Sequence, residues 1–380
     1  MAGRGAGFGG EQVPPLLLDA GYFVVNAACL SADLGGGRDE EAPAREDPPL
    51  DIGKIAPSFG AEPGMRLIPV NDLAGPASGY TVIGAGKTAM DACLWLLDSG
   101  VPPEAIRWIR PRDAWLLDRA YQQPLELVTW LIEGVSLCLE AAAQAEDVND
   151  LFARLEACGQ LVRLDPAVEP TMYRCATVSQ DELASLRRIE NVVRLGRVMH
   201  IAADRIVLEA GSVPTDAGQV HVDCTAAGLR LAPARPVFAD GRITVQQIRT
   251  CQPAFNAALI GYVEASRHDD TEKNLICPPN PYPDTATDWL TTTCTAQRAL
   301  TVWLGDADVS AWMERARLNA ARGIGAHHAD PRMKSALTRM FANAQPAIAR
   351  LESFQAHTGP PARRPAGRAN RTSRCPTVEV

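Results

Sequence analysis

The sequence lacks cysteine pairs. Ten cysteines are scattered singly along the chain, and no C-x-x-C pair occurs in its 380 residues. Zinc sites and redox dithiols normally show cysteines in close pairs. We therefore expect no metal site, and we expect most of the cysteines to be reduced thiols that pack inside the fold.

Long apolar runs and an excess of positive charge are also missing. The most apolar stretch, residues 125–143, contains Glu126, Glu133 and Glu140, which is typical of a soluble helix and not of a membrane span. Lys and Arg number 37 against 45 Asp and Glu, which argues against a duplex nucleic-acid partner. Because the first residues do not match a signal peptide either, we expect a cytoplasmic protein with no membrane or nucleic-acid partner. The sequence leaves a homo-oligomer open.

What is present is an alternation of apolar segments typical of an α/β protein. Residues 80–83 predict a strand, residues 88–99 a helix and residues 106–109 a second strand, which together have the length of a β-α-β unit. Further along the chain, a capping box and several apolar runs predict a helix after Ser179, a β-meander over 192–195, 197–201 and 205–208, a strand at 220–223, and helices at 253–265, 295–304 and 309–322.

The first β-α-β unit carries a phosphate-binding pattern. Gly84, Gly86 and Ala89 fit G-x-G-x-x-A between the first strand and its helix. The first glycine permits a tight turn, the second lets the backbone approach a diphosphate, and the alanine keeps helix and strand close. The start of the helix then offers free N–H groups to the phosphates. We predict that the cofactor-binding loop consists of Gly84, Ala85, Gly86, Lys87, Thr88 and Ala89.

Two other glycine patterns are weaker. Gly5, Gly7 and Gly10 also match G-x-G-x-x-G, but no apolar strand precedes them and no amphipathic helix follows. The sequence Gly86-Lys87-Thr88 resembles the end of an NTPase P-loop, yet Thr81 stands where that motif needs its first glycine. The first pattern is therefore rejected, and the second leaves an NTP-using enzyme as a third alternative.

The end of the second strand selects the nucleotide. NAD-binding proteins usually place Asp or Glu there, whereas this chain has Arg110 and Arg112. A guanidinium binds a 2′-phosphate in a bidentate manner, and a carboxylate repels it. We therefore predict NADP(H), with Arg110 as the first candidate and Arg112 as the second.

These residues resemble a known group of proteins. Residues 84–91 are similar to the second, pyridine-nucleotide motif of flavoproteins with two dinucleotide-binding domains, the flavin monooxygenases and the pyridine nucleotide-disulfide reductases. The predicted meander, followed by Asp223, Cys224, Thr225 and Gly228, resembles the stretch where the chain of those proteins returns to the FAD domain. The resemblance implies that FAD is bound as well, with Thr225 and Gly228 close to it.

The chain departs from this group in two respects. It has no credible first glycine motif for the FAD diphosphate, and the dithiol of the disulfide reductases is missing. The resemblance therefore implies a monooxygenase-like oxidoreductase that passes hydride from NADPH to flavin and on to an unknown acceptor. The alternative is a non-catalytic NADP(H)-binding or sensor protein. We assign no catalytic residue.

The predicted fold class is α/β, with a Rossmann-type doubly wound nucleotide domain that includes the meander. This domain spans 79–219 and is inserted in a partial FAD-domain-like α/β layer. That layer consists of residues 1–78, with a flexible linker at 31–51, and residues 220–330, which end in C-terminal helices. Residues 331–380 are expected to form a helix and then a disordered basic tail.

Overall fold

A computed structural model describes residues 57–73, 77–226, 233–239 and 241–358. The predicted linker at 31–51, Gly228 and the basic tail lie outside these residues. The strands are β1 (Gly60–Ala61), β2 (Arg66–Pro69), β3 (Gly79–Ile83), β4 (Ile106–Ile109), β5 (Ala114–Asp118), β6 (Leu161–Arg163), β7 (Met172–Val178), β8 (Val192–Val193), β9 (Val198–Ile201), β10 (Arg205–Leu208), β11 (Gly211–Pro214), β12 (Gln219–Asp223), β13 (Phe238–Ala239) and β14 (Arg242–Ile243). The α-helices are α1 (Lys87–Asp98), α2 (Val128–Gln144), α3 (Val148–Ala157), α4 (Gln180–Leu186), α5 (Pro253–Ser266), α6 (Asp270–Ile276), α7 (Asp288–Gly305), α8 (Ala307–Arg315) and α9 (Pro331–Thr358).

The described residues divide into two compact units. The first contains all the strands together with α1 and α4, and the second contains the other seven α-helices. Each unit has its own apolar cluster. The fold as a whole is mixed α/β.

A parallel sheet forms the centre of the first unit, with the strand order β2-β12-β3-β4-β8. Every pair of neighbours in it is parallel. The predicted β-α-β unit is confirmed as β3, α1 and β4, and all five residues of β3 are buried. The central position of β3 explains why both of its faces are buried, so that even the polar Thr81 lies inside the fold.

The two faces of this sheet are covered differently. Tyr80, Val82 and Trp108 pack on one face in a cluster that includes the inner side of α1. On the other face, Ile83 and Ile109 pack against residues of the antiparallel strands β9 and β10. The alternation of side chains along each strand therefore provides both layers.

The predicted meander is confirmed in part. Strands β9, β10 and β11 form it, and β1 adds to β9 in parallel. Residues 192–195 do not belong to it, because β8 pairs with β4 in the central sheet. Val193 is buried there, and its carbonyl accepts a hydrogen bond from Arg110 N at 2.9 Å.

Two segments join the central sheet from outside the 79–219 range. Strand β12 pairs with β3 on one side and with β2 on the other. Val220 and Val222 are fully buried in the same cluster as Val82. The sequence pattern assigns these two segments to a separate layer, whereas the strand pairing makes them part of one sheet with β3 and β4.

The second unit is helical. Helix α9 packs along α2 through Val128, Ile132, Met333 and Ala336. Two ion pairs, Arg332–Glu133 and Arg339–Glu140, join the same helices at 2.6 and 3.2 Å.

The helices predicted at 253–265 and 295–304 are confirmed within α5 and α7. The one predicted at 309–322 is shorter, because α8 ends at Arg315 and the next residue is extended. In the described residues, no helix combines the length and the apolar character that crossing a bilayer requires.

A buried histidine makes the first unit sensitive to pH. His221 is fully buried in β12, its Nε2 lies 2.9 Å from Thr215 Oγ1, and its Nδ1 lies 3.4 Å from the Arg66 carbonyl. Burial lowers the pKa of His221, and the nearby Arg107 adds to this effect while Asp216 opposes it. The unfolded chain therefore binds the proton more readily, and protonation favours unfolding once the pH falls below the ordinary pKa of histidine, about 6.5.

At pH values below 6.5, we expect the free energy of unfolding to decrease as the pH is lowered. This histidine should contribute up to about 1.4 kcal/mol per pH unit to that decrease. Urea unfolding of the wild type and of His221→Gln at several values between pH 7 and pH 5 measures the slope. The variant should lose this component of it. An unchanged slope in His221→Gln would contradict the assignment.

Candidate functional site

The glycine loop is fixed to the second strand of the β-α-β unit. Gly84 N donates to the Ile109 carbonyl at 3.0 Å, and Trp108 Nε1 donates to the Gly84 carbonyl at 2.8 Å. The indole is buried, so its hydrogen bond is shielded from water. The path of the chain out of β3 is therefore determined by β4.

Gly84 can only be glycine in this fold. Its φ is +144°, and a Cβ atom there would lie 2.6 Å from the Cys224 carbonyl oxygen. That close approach arises because Cys224 N donates to the Ile83 carbonyl at 2.9 Å and draws the end of β12 against the loop. The predicted tight turn at this glycine is confirmed, and the backbone it approaches is that of β12.

Gly86 is different. It is exposed, its φ is −92°, and a Cβ atom built on it would meet no atom within 4 Å. It is the N-cap of α1, which begins with no capping side chain and no acidic residue in its first turn. The carbonyl of Gly86 accepts from Ala89 N and Met90 N. The amino end of α1 is therefore bare, and the space over Gly86 is open.

The other loop residues have separate places. Ala89 is fully buried against the sheet, as the motif requires, and Ala85 is half-buried. Thr88 is exposed. Lys87 is half-buried and forms an ion pair with Asp91 one turn further along α1. The Lys87 charge is thus held beside the loop and partly compensated.

The arginine at the end of β4 is buried in a network of charges. Arg110 is 3% exposed, its Nη2 lies 2.9 Å from Asp113 Oδ1, and its guanidinium lies 4.9 Å from the Trp108 ring centroid. Arg194 also contacts Asp113, at 2.9 Å, and reaches Asp165 at 2.8 Å. Burial is the main cause of a lowered pKa of Arg110. Two arginines and two aspartates therefore balance each other at this strand end.

Of the two predicted 2′-phosphate ligands, Arg112 is the more accessible, since its side chain is only half-buried. Arg110 Nε is fully buried and has no acceptor. The sequence pattern alone does not single out Asp113 or Arg194. Asp113 follows Arg110 by three residues and was within reach of a charge-pattern argument, whereas Arg194 lies beside it only through the pairing of β8 with β4.

After β12 the chain makes a turn stabilised by its own aspartate. Thr225 N and Thr225 Oγ1 both donate to Asp223 Oδ1, at 2.9 and 2.7 Å. This arrangement is an Asx-type turn. Thr225 is exposed. It lies beside the glycine loop because Asp223 is in register with Ile83, the last residue before Gly84. The predicted partner Gly228 lies outside the described residues.

The strand order gives the glycine loop a special position. From β3 the chain crosses over through α1 to β4 on one side, while β12 pairs with β3 on the other side. In open parallel sheets, ligands bind beyond the carboxyl ends of the strands where the order reverses in this way. The loops that follow β3 and β12 both lie at that point.

A small cavity lies elsewhere, near the start of β12. Its volume is about 170 Å³, and it is lined by Arg107, Pro214, Thr215, Asp216 and Gln219. Ligand pockets usually measure about 300–1,000 Å³, so this cavity is too small for a dinucleotide. The glycine loop, by contrast, is open to solvent at Gly86.

The thiols next to the loop are packing groups. Cys93 and Cys224 are buried free cysteines, and burial raises the pKa of both. A thiol with a raised pKa is a poor nucleophile. Within the described ranges, no group of three or more His, Cys, Asp or Glu side chains is arranged to hold a metal ion.

Comparison with known proteins gives relatives but no family. The chain is 45% identical over 264 residues to uncharacterized proteins of Mycobacterium bovis and of two strains of Mycobacterium tuberculosis. The match covers 69% of this chain and 49% of those proteins, so the chain spans about half the length of the curated relatives it matches. No protein-family model matches the chain. No solved structure matches it either.

Proposed function

We propose that the first unit is a Rossmann-type domain that binds the diphosphate of NADPH at the amino end of α1. The observation that carries the proposal is the contrast between the two glycines. Gly84 is required by the fold, whereas Gly86 leaves open space in front of a helix end that has no cap. Free N–H groups at a helix start attract phosphate.

The strand order supports the same location. The loop after β3 and the turn at Thr225 flank the position where the order of the sheet reverses. A dinucleotide that lies across this position would meet the N–H groups of residues 86–88 with its diphosphate. It would extend its adenosine ribose towards the end of β4.

The choice of NADPH over NADH rests on the arginines after β4. Arg110 is only 3% exposed whereas Arg112 is half-buried, so we assign the 2′-phosphate first to the more accessible Arg112. No carboxylate follows β4 at the position where NAD-binding proteins hold the ribose hydroxyls. When bound, NADPH would supply a hydride, and the residues named here would hold and orient it.

The resemblance to flavoproteins with two dinucleotide-binding domains supports a flavin-dependent oxidoreductase, with hydride passing to FAD and on to an unknown acceptor. The first unit has a parallel sheet with a helix on one face and a meander on the other, and this arrangement supports a nucleotide-binding domain. Thr225 remains the residue assigned to the FAD side of the domain.

Gly86 gives the test of nucleotide binding. We expect Gly86→Leu to weaken NADPH binding about 50-fold, because its side chain fills the space that the diphosphate needs. We expect Gly86→Ala to bind within about fivefold of the wild type. Calorimetric titration of each protein with NADPH measures the affinities of both variants and of the wild type. The φ of −92° suits either residue, so a loss of folding does not complicate the comparison. Equal affinity of wild type and Gly86→Leu would overturn the site.

An absorption spectrum of the freshly purified protein tests the flavin. A flavin band that bleaches when NADPH is added supports the oxidoreductase. NADPH binding without any flavin band, even after incubation with FAD, supports the alternative of a non-catalytic NADP(H)-binding or sensor protein.

A further inference from the structure

The helical unit contains a guanidinium that is held between aromatic rings. Arg249 precedes α5, and its guanidinium carbon lies 4.1 Å from the ring centroid of Phe255 and 5.0 Å from that of Trp303. Phe255 and Trp303 are themselves buried and meet edge to face, with 6.0 Å between their centroids. The charge therefore lies in a poorly hydrated environment.

Hydrogen bonds fix this arginine at both ends. Arg249 N donates to Asn256 Oδ1 at 2.8 Å, and Asn256 Nδ2 donates to the Arg249 carbonyl at 3.0 Å. At the guanidinium, Nη1 donates to Asn319 Oδ1 at 2.7 Å and to Gln252 Oε1 at 3.4 Å. The side chain is thus ordered before any ligand arrives, which reduces the entropy lost on binding.

All of these acceptors are neutral amides. Other well-buried arginines of the chain have carboxylates: Arg110 has Asp113, and Arg267 has Glu272 and Asp306. Among the described residues, no carboxylate pairs with Arg249, and neither its Nε nor its Nη2 has an acceptor. Neither nitrogen is fully buried, so this edge of the guanidinium remains accessible.

The surroundings add positive potential. Gln252 is the N-cap of α5 and makes no capping hydrogen bond, and the first turn of α5, which includes Phe255, has no acidic residue. The positive end of the helix therefore adds to the charge of Arg249. Burial lowers the pKa of Arg249 to about 10, so it is still a cation at neutral pH. A buried charge without a counter-ion is costly.

We propose that Arg249 is the anchor of an anion site in the helical unit, where Nε and Nη2 bind two oxygens of a carboxylate or phosphate group. Side-by-side N–H donors at this spacing match such oxyanions in a bidentate geometry. The aromatic rings and the amides of Asn319 and Gln252 position the guanidinium, and the start of α5 supports the same charge. This site is separate from the glycine loop and does not depend on nucleotide binding.

Gln252→Glu tests the proposal without removing the arginine. The substitution places a carboxylate of the same shape beside Nη1 and at the N-terminus of α5, so it should raise the melting temperature while it competes with an external anion. Inorganic phosphate and acetate are the probes, each titrated by calorimetry at constant ionic strength in sodium chloride. We expect Gln252→Glu to weaken binding of the anion at least about tenfold. Arg315→Gln, at an exposed arginine of the same unit, should bind as the wild type does.

The Nε–H signal of Arg249 in a nitrogen-15 NMR spectrum gives a local readout. The signal that is absent in Arg249→Lys belongs to Arg249, and we expect it to shift when the anion is added. A shift with phosphate alone identifies a phosphate site, and a shift with acetate as well identifies a site for carboxylates. No shift with either anion, or equal anion affinity in Gln252→Glu and wild type, would overturn the proposal.

Discussion

Replacement of Gly84 by alanine is expected to lower the free energy of unfolding by about 4 kcal/mol. Two costs add together. The φ of +144° lies in a region that residues with a Cβ atom rarely adopt, at about 1–3 kcal/mol. The new methyl group would also meet the Cys224 carbonyl oxygen at 2.6 Å, and relieving that overlap forces two strands apart, which costs about 1–3 kcal/mol more. Urea unfolding followed by circular dichroism measures the change.

Gly86→Ala is the matched control. It lies two residues away in the same loop, its φ is ordinary and no atom lies within 4 Å of the added carbon. We expect its free energy of unfolding to stay within about 1 kcal/mol of the wild type. If both alanine variants are equally stable, the close approach of β12 to the loop is wrong. The difference also decides which glycine can report binding, because a Gly84 variant changes the stability of the fold as well as any binding.

Local signals in the sequence predicted local structure well. The strand before Gly84, the helix after it and the second strand are confirmed, since each has its own apolar pattern and its own turn residues. The capping box after Ser179 is confirmed in both of its hydrogen bonds. Ala89 is buried against the sheet as the motif demands. In each case the residues that determine the structure lie within a few positions of one another.

Pairing between distant segments was harder to predict. Nothing in residues 192–193 distinguishes a strand of a meander from an edge strand of the parallel sheet, because a short run of valines suits both. The place of β12 beside β3 depends on Val220 and Val222 lying in register with Tyr80 and Val82. Only the folded chain brings these residues together.

The same limit applies to the charges of the site. The pattern around Arg110 predicted an accessible phosphate ligand, since a sequence shows the type of a side chain but not its burial. Arg110 pairs with Asp113, which also pairs with Arg194, and Arg194 reaches Asp165, so the network joins three further charged residues from three segments of the first unit. Their mutual neutralisation explains why a strand end so rich in arginine can be buried.

This network leads to the second large effect, in Arg110→Met. The side chains of Arg110 and Asp113 are 4% and 5% exposed, so removal of one partner leaves a buried carboxylate with a single remaining arginine. Breaking a buried ion pair from one side costs about 3–5 kcal/mol. Because Arg194 still contacts Asp113, we expect the lower end, a loss of about 3 kcal/mol in the free energy of unfolding, measured in urea.

Arg163→Met separates this effect from the loss of an arginine that stacks on tryptophan. Arg163 also covers an indole, with 4.5 Å to the Trp115 ring centroid, but its carboxylate partner Glu169 is 69% exposed. A pair with one partner in water contributes about 1 kcal/mol or less, so Arg163→Met should cost far less than Arg110→Met.

The ratio of NADPH to NADH affinity compares the two arginines after β4 as ligands of the 2′-phosphate. Arg110→Met should leave this ratio unchanged and Arg112→Gln should lower it, because Arg112 is the more accessible of the two side chains. A fall of the ratio in Arg110→Met, at unchanged stability, would return the 2′-phosphate to Arg110.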